Sequence, residues 1–244
     1  MRGQLQKIEP TKEVKMGDTR SQSARKSWFY VLGVYLGDGC VTGGYFRVNT
    51  IDMDFAEAIK SALKDMSDST VTIHTYSVSK SSKPNHALYC GDTSLAKKLT
   101  EDTKSKQEIP SYVFDASDDE KKSFISGLMD SEGYVARAKS GRGMHFCMGY
   151  KSCDSWVPDF IRILQSIGIK IGKVSFEKPW KPSYKVPIQF GIKLASWVDA
   201  GCHFNISRKE DRVIDWKNNY RNYVRRPDYL QRLDVRDGLT AVVV

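Results

Sequence analysis

Apolar residues in the first half of the chain recur at spacings that are helical in some stretches and alternating in others. The predicted order is helix, two strands, helix, two strands, helix, over residues 28–39, 40–50, 52–63, 70–78, 86–92 and 93–103. In the second helix, Phe55, Ile59, Ala62 and Leu63 fall on one face, and Asp52 precedes them as the predicted N-cap. The alternating residues around the Gly-Gly pair of the second segment predict a hairpin.

The same order of elements returns in the second half of the chain. Its predicted helices and strands cover residues 120–133, 133–150, 155–168, 169–176, 184–193 and 194–201. The two halves match in pattern and share little identity. A repeat of this kind predicts a monomer with internal pseudo-twofold symmetry.

Residues 109–119 (IPSYVFDASDD), which Pro110 interrupts, are the predicted linker between the halves. The N-terminal residues before the first predicted helix show no clear periodicity. We therefore divide the chain into an N-terminal arm (1–26), a first half (27–110), a linker (111–118), a second half (119–216) and a C-terminal tail (217–244).

A chain of 244 residues that is 40% hydrophobic can bury one large core, or two smaller cores joined through an interface. No apolar run approaches the roughly 20 residues of a membrane span, and the N-terminus lacks the apolar stretch of a secretory signal. We expect an intracellular protein, in the cytoplasm or an organelle matrix, that has no membrane partner. The five cysteines include no CxxC pair, so neither a disulfide framework nor a thiolate zinc site is indicated.

Positive charge is concentrated in the second half of the chain. The formal net charge is +9 and the pI is about 9.2, which favours a polyanionic partner. Residues 43–110 contain nine basic and nine acidic side chains, whereas residues 137–193 contain eleven basic and three acidic ones. Contacts with a phosphate backbone are therefore expected to be uneven between the halves.

Two short segments, residues 31–39 (VLGVYLGDG) and 125–133 (ISGLMDSEG), share one chemical pattern. In each, an apolar helix with small residues ends in an acid followed by glycine. Gly33 and Gly37 are four residues apart and lie on one helix face, as do Gly127 and Ser131. Small residues on facing helices allow their backbones to approach closely. We therefore predict that the two helices pack side by side, with their ends together.

This packing would bring the acids Asp38 and Glu132 together at two helix C-termini, with Gly39 and Gly133 predicted as left-handed caps. The partial negative charge of a helix end repels a carboxylate by roughly 0.3–1 kcal/mol, and the two carboxylates also repel one another. A hard divalent cation relieves both effects, so Mg²⁺ is the expected cofactor. An acid before glycine often merely closes a surface turn, but two copies, each leading into a hairpin, favour a metal site.

The paired segments resemble the motifs of the LAGLIDADG homing endonucleases, in the monomeric form with two motifs on one chain. The resemblance covers about residues 28–215, and the metal-binding acid of the eighth motif position falls on Asp38 and Glu132. The first motif departs by carrying Leu36 at the sixth position, where the second has Asp130. The resemblance implies an α+β fold of two αββαββα halves, packed through the motif helices, with saddle-shaped antiparallel sheets that lie along double-stranded DNA.

The resemblance also implies hydrolysis of one phosphodiester on each DNA strand. Divalent metal would be held at Asp38, Glu132, Gly37 and Ser131, with Mn²⁺ or Ca²⁺ able to replace Mg²⁺ for binding. By spacing, the lysines that could steady the transition state are Lys106, Lys151 and Lys209. The candidate DNA contacts, on basic and alternating stretches, are Arg47, Asn49, Arg137, Lys139, Arg142, Gln189 and Lys193.

Other functions remain open at this stage. An intron-splicing maturase or a non-cleaving DNA-binding protein would have the same fold, although the presence of both acids favours cleavage. An intein is disfavoured by the start MRGQ and the end TAVVV, which leaves a free-standing or intron-encoded enzyme. A metal-independent hydrolase would need a nucleophile motif, and none surrounds the histidines, which we predict to be structural. An unrelated basic interaction module would leave the repeated acids unexplained.

Overall fold

The computed structural model describes residues 19–77, 83–135, 144–148, 153–176 and 188–224. The elements of the first half are α1 (Thr19–Leu36), β1 (Cys40–Thr42), β2 (Tyr45–Thr50), α2 (Met53–Met66), β3 (Val71–Tyr76), β4 (Asn85–Cys90) and α3 (Thr93–Asp102). Those of the second half are α4 (Asp118–Glu132), β5 (Gly133–Val135), β6 (Met144–Met148), α5 (Cys153–Ser166), β7 (Ile171–Phe176), β8 (Ile188–Ile192) and α6 (Leu194–Asp199), followed by α7 (Ser207–Val224).

Each half contains one open, four-stranded antiparallel sheet with the same strand order. The first sheet runs β1-β2-β4-β3 and the second runs β5-β6-β8-β7. The turn between β1 and β2 contains Gly43 and Gly44 at φ 58° and 80°, a two-residue connection that requires positive φ at both positions. The predicted hairpin, the repeat and the α+β fold of two αββαββα halves are confirmed.

One hydrophobic core extends through both halves and includes side chains from the helices and from one face of each sheet. In β2, Phe46 and Val48 are buried, whereas Arg47 and Asn49 lie on the other face. In α2, the predicted apolar face is buried, together with Ala56. The alternation of apolar residues along β2 and their helical spacing in α2 therefore predicted which face of each element is buried.

The motif helices α1 and α4 pack against each other with almost no space between their backbones. A Cβ atom on Gly33 would lie 2.2 Å from the carbonyl oxygen of Phe124. A Cβ atom on Gly127 would lie 2.1 Å from the carbonyl oxygen of Tyr30. Both distances are far below van der Waals contact, so only glycine fits at these crossings, and the predicted close approach is confirmed.

The prediction of left-handed caps at Gly39 and Gly133 is wrong. Gly133 is extended, with φ −82° and ψ 150°, and Gly39 also lies outside the left-handed region. Both glycines are needed for a different reason. At each position the chain lies against the last turn of the helix that it has just left, and a side chain would not fit there. A Cβ on Gly39 would lie 2.7 Å from the Cα of Tyr35, and one on Gly133 would lie 2.6 Å from the carbonyl oxygen of Met129.

Three helix starts and ends also differ from expectation. Helix α1 begins at Thr19, inside the segment assigned to the N-terminal arm, and α7 runs across the boundary placed at residue 216. Asp52 precedes α2 as its N-cap residue but makes no side-chain hydrogen bond to that helix, because its carboxylate bonds Arg208 instead. In the part of the chain described, no helix combines the length and apolarity that a membrane crossing requires.

Candidate metal centre

The C-terminal ends of α1 and α4 lie side by side at Gly37. A Cβ atom on Gly37 would lie 2.4 Å from the Cβ of Ser131 and 3.3 Å from the Cγ of Glu132. The Glu132 side chain therefore packs over the residue that precedes Asp38. A side chain at position 37 would displace Glu132, so glycine there leaves the Glu132 carboxyl group near enough to Asp38 for the Asp38 charge to raise its pKa.

The electrostatics of the two acids reflect this proximity. Burial raises the pKa of Glu132 to about 7, and the negative charge of Asp38 contributes in the same direction, while Lys106 and Lys209 oppose the shift. Asp38 is the more exposed residue, yet loss of water around its carboxyl group also raises its pKa, against the effect of the same two lysines. The site therefore holds two carboxyl groups that both resist ionisation and are offset by two nearby ammonium groups.

Lys106 reaches the end of α1 from the loop after α3. Its Nζ donates to the carbonyl oxygen of Gly37 at 2.6 Å and lies 5.3 Å from the centre of the Tyr35 ring. Burial lowers the pKa of Lys106, whereas the charges of Glu132 and Asp38 raise it. The ammonium group therefore satisfies a helix-terminal carbonyl and places positive charge beside both carboxylates.

The backbone that carries Lys106 is strained. Lys104, Ser105 and Lys106 have φ values of 46°, 57° and 67°, a left-handed run without a glycine. Such conformations cost on the order of 1–3 kcal/mol per residue and persist only where the surroundings enforce them. Here the Lys106 amide donates to Thr103 Oγ1 at 3.1 Å, and its carbonyl accepts from Trp156 Nε1, in the second half, at 3.2 Å.

Lys209 occupies the corresponding place at the end of α4. It lies in the first turn of α7, is only 3% exposed, and donates through Nζ to the carbonyl oxygens of Met129, at 3.1 Å, and Asp130. Burial lowers the pKa of Lys209 to about 8, against the raising effect of the Asp130 charge. Each motif helix thus ends on the ammonium group of a lysine, and the two lysines come from unrelated elements.

Asp130, at the sixth motif position, belongs to a buried polar network. It is 2% exposed and accepts hydrogen bonds from the Tyr30 hydroxyl at 2.9 Å and from Asn205, through its backbone nitrogen at 3.1 Å and its Nδ2 at 3.0 Å. Burial raises the pKa of Asp130 to about 6, although the hydrogen bonds from Asn205 and Tyr30 lower it. Leu36, its counterpart in the first motif, is buried among apolar residues. Both sixth positions therefore face the interior.

The donor set fits a hard divalent cation. Burial raises the pKa of both carboxyl groups, so both would gain from a shared positive charge, and carboxylate oxygens are ligands that Mg²⁺ prefers. Within the described ranges, no group of three or more His, Cys, Asp or Glu side chains is placed to hold a metal. Asp38 and Glu132 would therefore need carbonyl, water or substrate oxygens to complete the coordination. The Gly37 carbonyl, predicted as a ligand, accepts from Lys106, and the roles of Gly37 and Ser131 as ligands stay predictions.

No protein-family model matches the chain. An uncharacterized protein of Methanocaldococcus jannaschii is 28% identical over 116 residues, which are 45% of this chain and 40% of that protein. The chain thus matches less than half the length of this curated relative.

Solved structures align over most of the chain. The homing endonuclease I-WcaI bound to its DNA recognition sequence aligns with a TM-score of 0.52 at 8% identity, over 81% of this chain and 94% of its own. Full-length DUF199/WhiA from Thermatoga maritima aligns at 0.50 and 12% identity, over 86% and 67% respectively. The N-terminal LAGLIDADG domain of DUF199/WhiA aligns at 0.50 and 12% identity, over 77% and 83%. The chain has the LAGLIDADG homing endonuclease fold.

In this LAGLIDADG fold the first sheet presents a polar face beside the helix ends. Arg47 donates to Asn49 Oδ1 at 3.1 Å from Nη2, and its guanidinium lies 5.1 Å from the centre of the Tyr89 ring. The His74 ring contacts the Tyr89 ring edge to face, with 5.7 Å between the ring centres. Thr72 of β3 lies directly opposite Tyr89 of β4. Arg47 and Asn49 stay predicted DNA contacts. The alternation of Thr72, His74 and Tyr76 in β3 also indicates a polar strand face, and these residues were not among the predicted contacts.

The remaining predicted contacts are only partly described. Gln189 lies in β8, and Lys193 follows that strand as the exposed N-cap residue of α6. The predicted DNA contacts Arg137, Lys139 and Arg142, and the predicted catalytic Lys151, lie outside the described residues. Of the three predicted lysines, the structure therefore brings Lys106 and Lys209 to the carboxylate pair.

Proposed function

We propose that this protein is a site-specific double-strand DNA endonuclease that hydrolyses one phosphodiester on each strand of a long target with divalent metal. The paired carboxylates of Asp38 and Glu132, held together by glycine packing and flanked by Lys106 and Lys209, carry this proposal. Desolvation raises the pKa of both acids, the negative charge of Asp38 adds to the shift at Glu132, and a bound cation would reverse that cost.

Asp38 and Glu132 would hold the metal, which when bound polarises a phosphate and lowers the pKa of a water molecule. The chain's own residues supply the rest. The ammonium groups of Lys106 and Lys209 bring positive charge toward the negative charge that develops on the scissile phosphates. Their hydrogen bonds to helix-terminal carbonyls hold them in place before substrate arrives, so little reorganisation is needed during the reaction.

Double-stranded DNA is the proposed substrate and partner. The net charge of +9 favours a phosphate backbone, and I-WcaI, which shares the fold, is bound to its DNA recognition sequence. Arg47 and Asn49 lie on the exposed sheet face, where alternate side chains can meet base edges. Gln189, Lys193, Arg137, Lys139 and Arg142 complete the proposed contacts. The proposed enzyme acts as a pseudo-symmetric monomer.

A second function is favoured by the alignment with DUF199/WhiA, because that likeness is as extensive as the likeness to a homing endonuclease. Under this alternative, the chain is a non-cleaving DNA-binding protein or an intron-splicing maturase of the same fold. The flanked carboxylate pair favours cleavage, since binding alone gains nothing from two desolvated acids at the centre of the molecule.

The test uses a library of randomised duplexes, together with the joined DNA that flanks the reading frame. The full chain is incubated with Mg²⁺ or with EDTA, and the ends produced are sequenced. We expect Mg²⁺-dependent cuts on both strands at one sequence. Asp38→Asn and Glu132→Gln should bind that sequence and leave it intact, while the exposed Glu101→Gln should cut normally. Sequence-specific binding without any cleavage would establish the alternative. Full cleavage by Glu132→Gln would overturn the assignment of this carboxylate pair as the site.

A further inference from the structure

The first turn of α7 is attached to the opposite half of the molecule. The Ser207 backbone nitrogen donates to Asp54 Oδ2 at 2.5 Å. The Arg208 guanidinium donates from Nε and Nη2 to the two carboxylate oxygens of Asp52, at 2.7 Å each. Asp52 and Asp54 stand at the start of α2, in the first half. We call these four residues the inter-half clamp.

The clamp has the features of a strong contact. The Asp52 side chain is only 10% exposed, so water screens its bidentate bond to Arg208 less than it would a surface pair. Hydrogen bonding by Asp52 raises the pKa of the Arg208 guanidinium. Asp54 adds a carboxylate at the N-terminus of α7, where the helix dipole favours negative charge. The Arg208 side chain is 42% exposed, so the bidentate geometry and the burial of Asp52 are what distinguish this pair from an ordinary surface ion pair.

The clamp is directly connected to the candidate metal centre. Lys209 follows Arg208 in the same turn, and its Nζ bonds the last carbonyls of α4. Two further hydrogen bonds of α7 are made within the second half, where Arg212 donates to the Val135 carbonyl at 2.7 Å and Glu210 accepts from the Phe204 amide at 2.8 Å. The clamp thus fixes the turn that contains Lys209 relative to the first half, which carries Asp38.

We propose that Asp52 and Asp54 are positioning residues for DNA cleavage, because they hold Lys209 of the second half in register with the carboxylate pair. This inference rests on the proposed endonuclease function. Lys106 reaches the end of α1 independently of α7, so loss of the clamp displaces one lysine and leaves the other in place. The two strand cuts are then affected unequally, and DNA nicked in one strand accumulates.

The test follows conversion of supercoiled target plasmid to nicked and then linear DNA by the full chain with Mg²⁺. Asp52→Arg and Arg208→Asp, each alone, should slow the nicked-to-linear step by roughly tenfold to a hundredfold. The double variant, which restores an ion pair with its charges exchanged, should recover most of the linear product. Arg208→Lys, which keeps the charge and loses the bidentate geometry, should show a smaller defect and guards against a failure of the reversed-charge variants to fold.

The matched control is the ion pair between Lys26 Nζ and Asp119 Oδ2, at 2.7 Å. It also joins the two halves, near the N-terminus of α4 and away from the carboxylates. Lys26→Asp and Asp119→Lys should leave the ratio of nicked to linear DNA unchanged. The inference is overturned if wild type cleaves and the clamp variants slow both strands equally, if they slow neither, or if the control pair has the same effect. Absence of cleavage by wild type overturns the proposed function and the inference with it.

Discussion

The ammonium group of Lys106 lies 2.6 Å from the carbonyl oxygen of Gly37, at the end of the helix that delivers Asp38. The lysine ammonium group thus lies at the C-terminal end of α1, where the partial negative charge of the helix dipole favours a cation. Its positive charge lowers the pKa of both Glu132 and Asp38, which would otherwise be higher still. A protein-borne cation and a bound metal would therefore act together on the same pair of acids.

Replacement of Lys106 by methionine should lower the single-turnover cleavage rate by about a hundredfold or more, because removal of one preorganised charge typically costs this much. Substrate affinity should change little, since the side chain lies at the carboxylate pair and contributes one charge among many. Lys104→Met is the matched control, because Lys104 shares the left-handed segment but is exposed and pairs with Glu108. Equal rates for the two variants would contradict a role for Lys106 at the site.

Replacement of Gly127 by alanine should destabilise the fold by roughly 3 kcal/mol, because the new Cβ would meet the Tyr30 carbonyl at 2.1 Å and the two helix backbones must separate. Urea denaturation followed by circular dichroism measures the change. Gly91→Ala is the control, since its Cβ would lie 3.5 Å from the Tyr45 ring, an ordinary contact. A Gly127→Ala variant as stable as Gly91→Ala would show that the helices do not pack as described.

The raised pKa of Glu132 predicts opposite effects of pH with and without metal. The folded value is about 7 and the ordinary value is 4.5, so ionised Glu132 destabilises the metal-free fold above pH 7. Protonation removes this penalty as the pH falls from 7 toward 4.5, and wild type should gain stability relative to Glu132→Gln across that window. Mg²⁺ held by Glu132 would favour the ionised form, so the stabilising effect of added Mg²⁺ should be largest above pH 7.

Thermal unfolding of both proteins between pH 5 and pH 8, with Mg²⁺ or EDTA, measures these effects. Wild type and Glu132→Gln should converge at the acid end in EDTA, and Mg²⁺ should raise the melting temperature of wild type alone at the alkaline end. A Mg²⁺ effect that is independent of pH, or that persists in Glu132→Gln, would argue against this carboxylate as a ligand.

Two buried tryptophans offer a matched comparison of one hydrogen bond. Trp156 Nε1 donates to the Lys106 carbonyl, whereas Trp197 Nε1 finds no acceptor in the described part of the chain. Trp156→Phe should therefore cost about 1 kcal/mol more in the free energy of unfolding than Trp197→Phe, because only Trp156→Phe removes a hydrogen bond. Trp156→Phe should also slow cleavage, since it releases the strained segment that carries Lys106. Identical losses in the two variants would contradict this.

Local sequence patterns predicted much of the architecture. The alternation of β2, the apolar face of α2 and the small residues of the motif helices each depend on a few neighbouring positions, so the sequence shows them directly. The position of Asp38 beside Glu132 also follows from two helix faces and one packing rule. Because the order of elements repeats, the sequence also predicted two similar halves related by pseudo-twofold symmetry.

Long-range contacts explain what the sequence did not reveal. Lys209 was predicted by spacing, but helix α7 was not, because this buried charged residue interrupts the apolar side of the helix. Asp130 is buried because Tyr30 and Asn205, far away in sequence, donate to it. The three residues with left-handed backbone conformation that end at Lys106 include no glycine, so the sequence does not indicate them. None of these features has a local signature.

The difference between Leu36 and Asp130 limits what can be made from either half alone. A homodimer built by duplicating the second half would place two buried carboxyl groups at its central seam, and neither copy would contain Tyr30. A homodimer of the first half would have leucine at both positions and would lack α7, and with it Lys209. Each half therefore depends on the other at this interface, and the pseudo-twofold symmetry of the backbone does not extend to the side chains at positions 36 and 130.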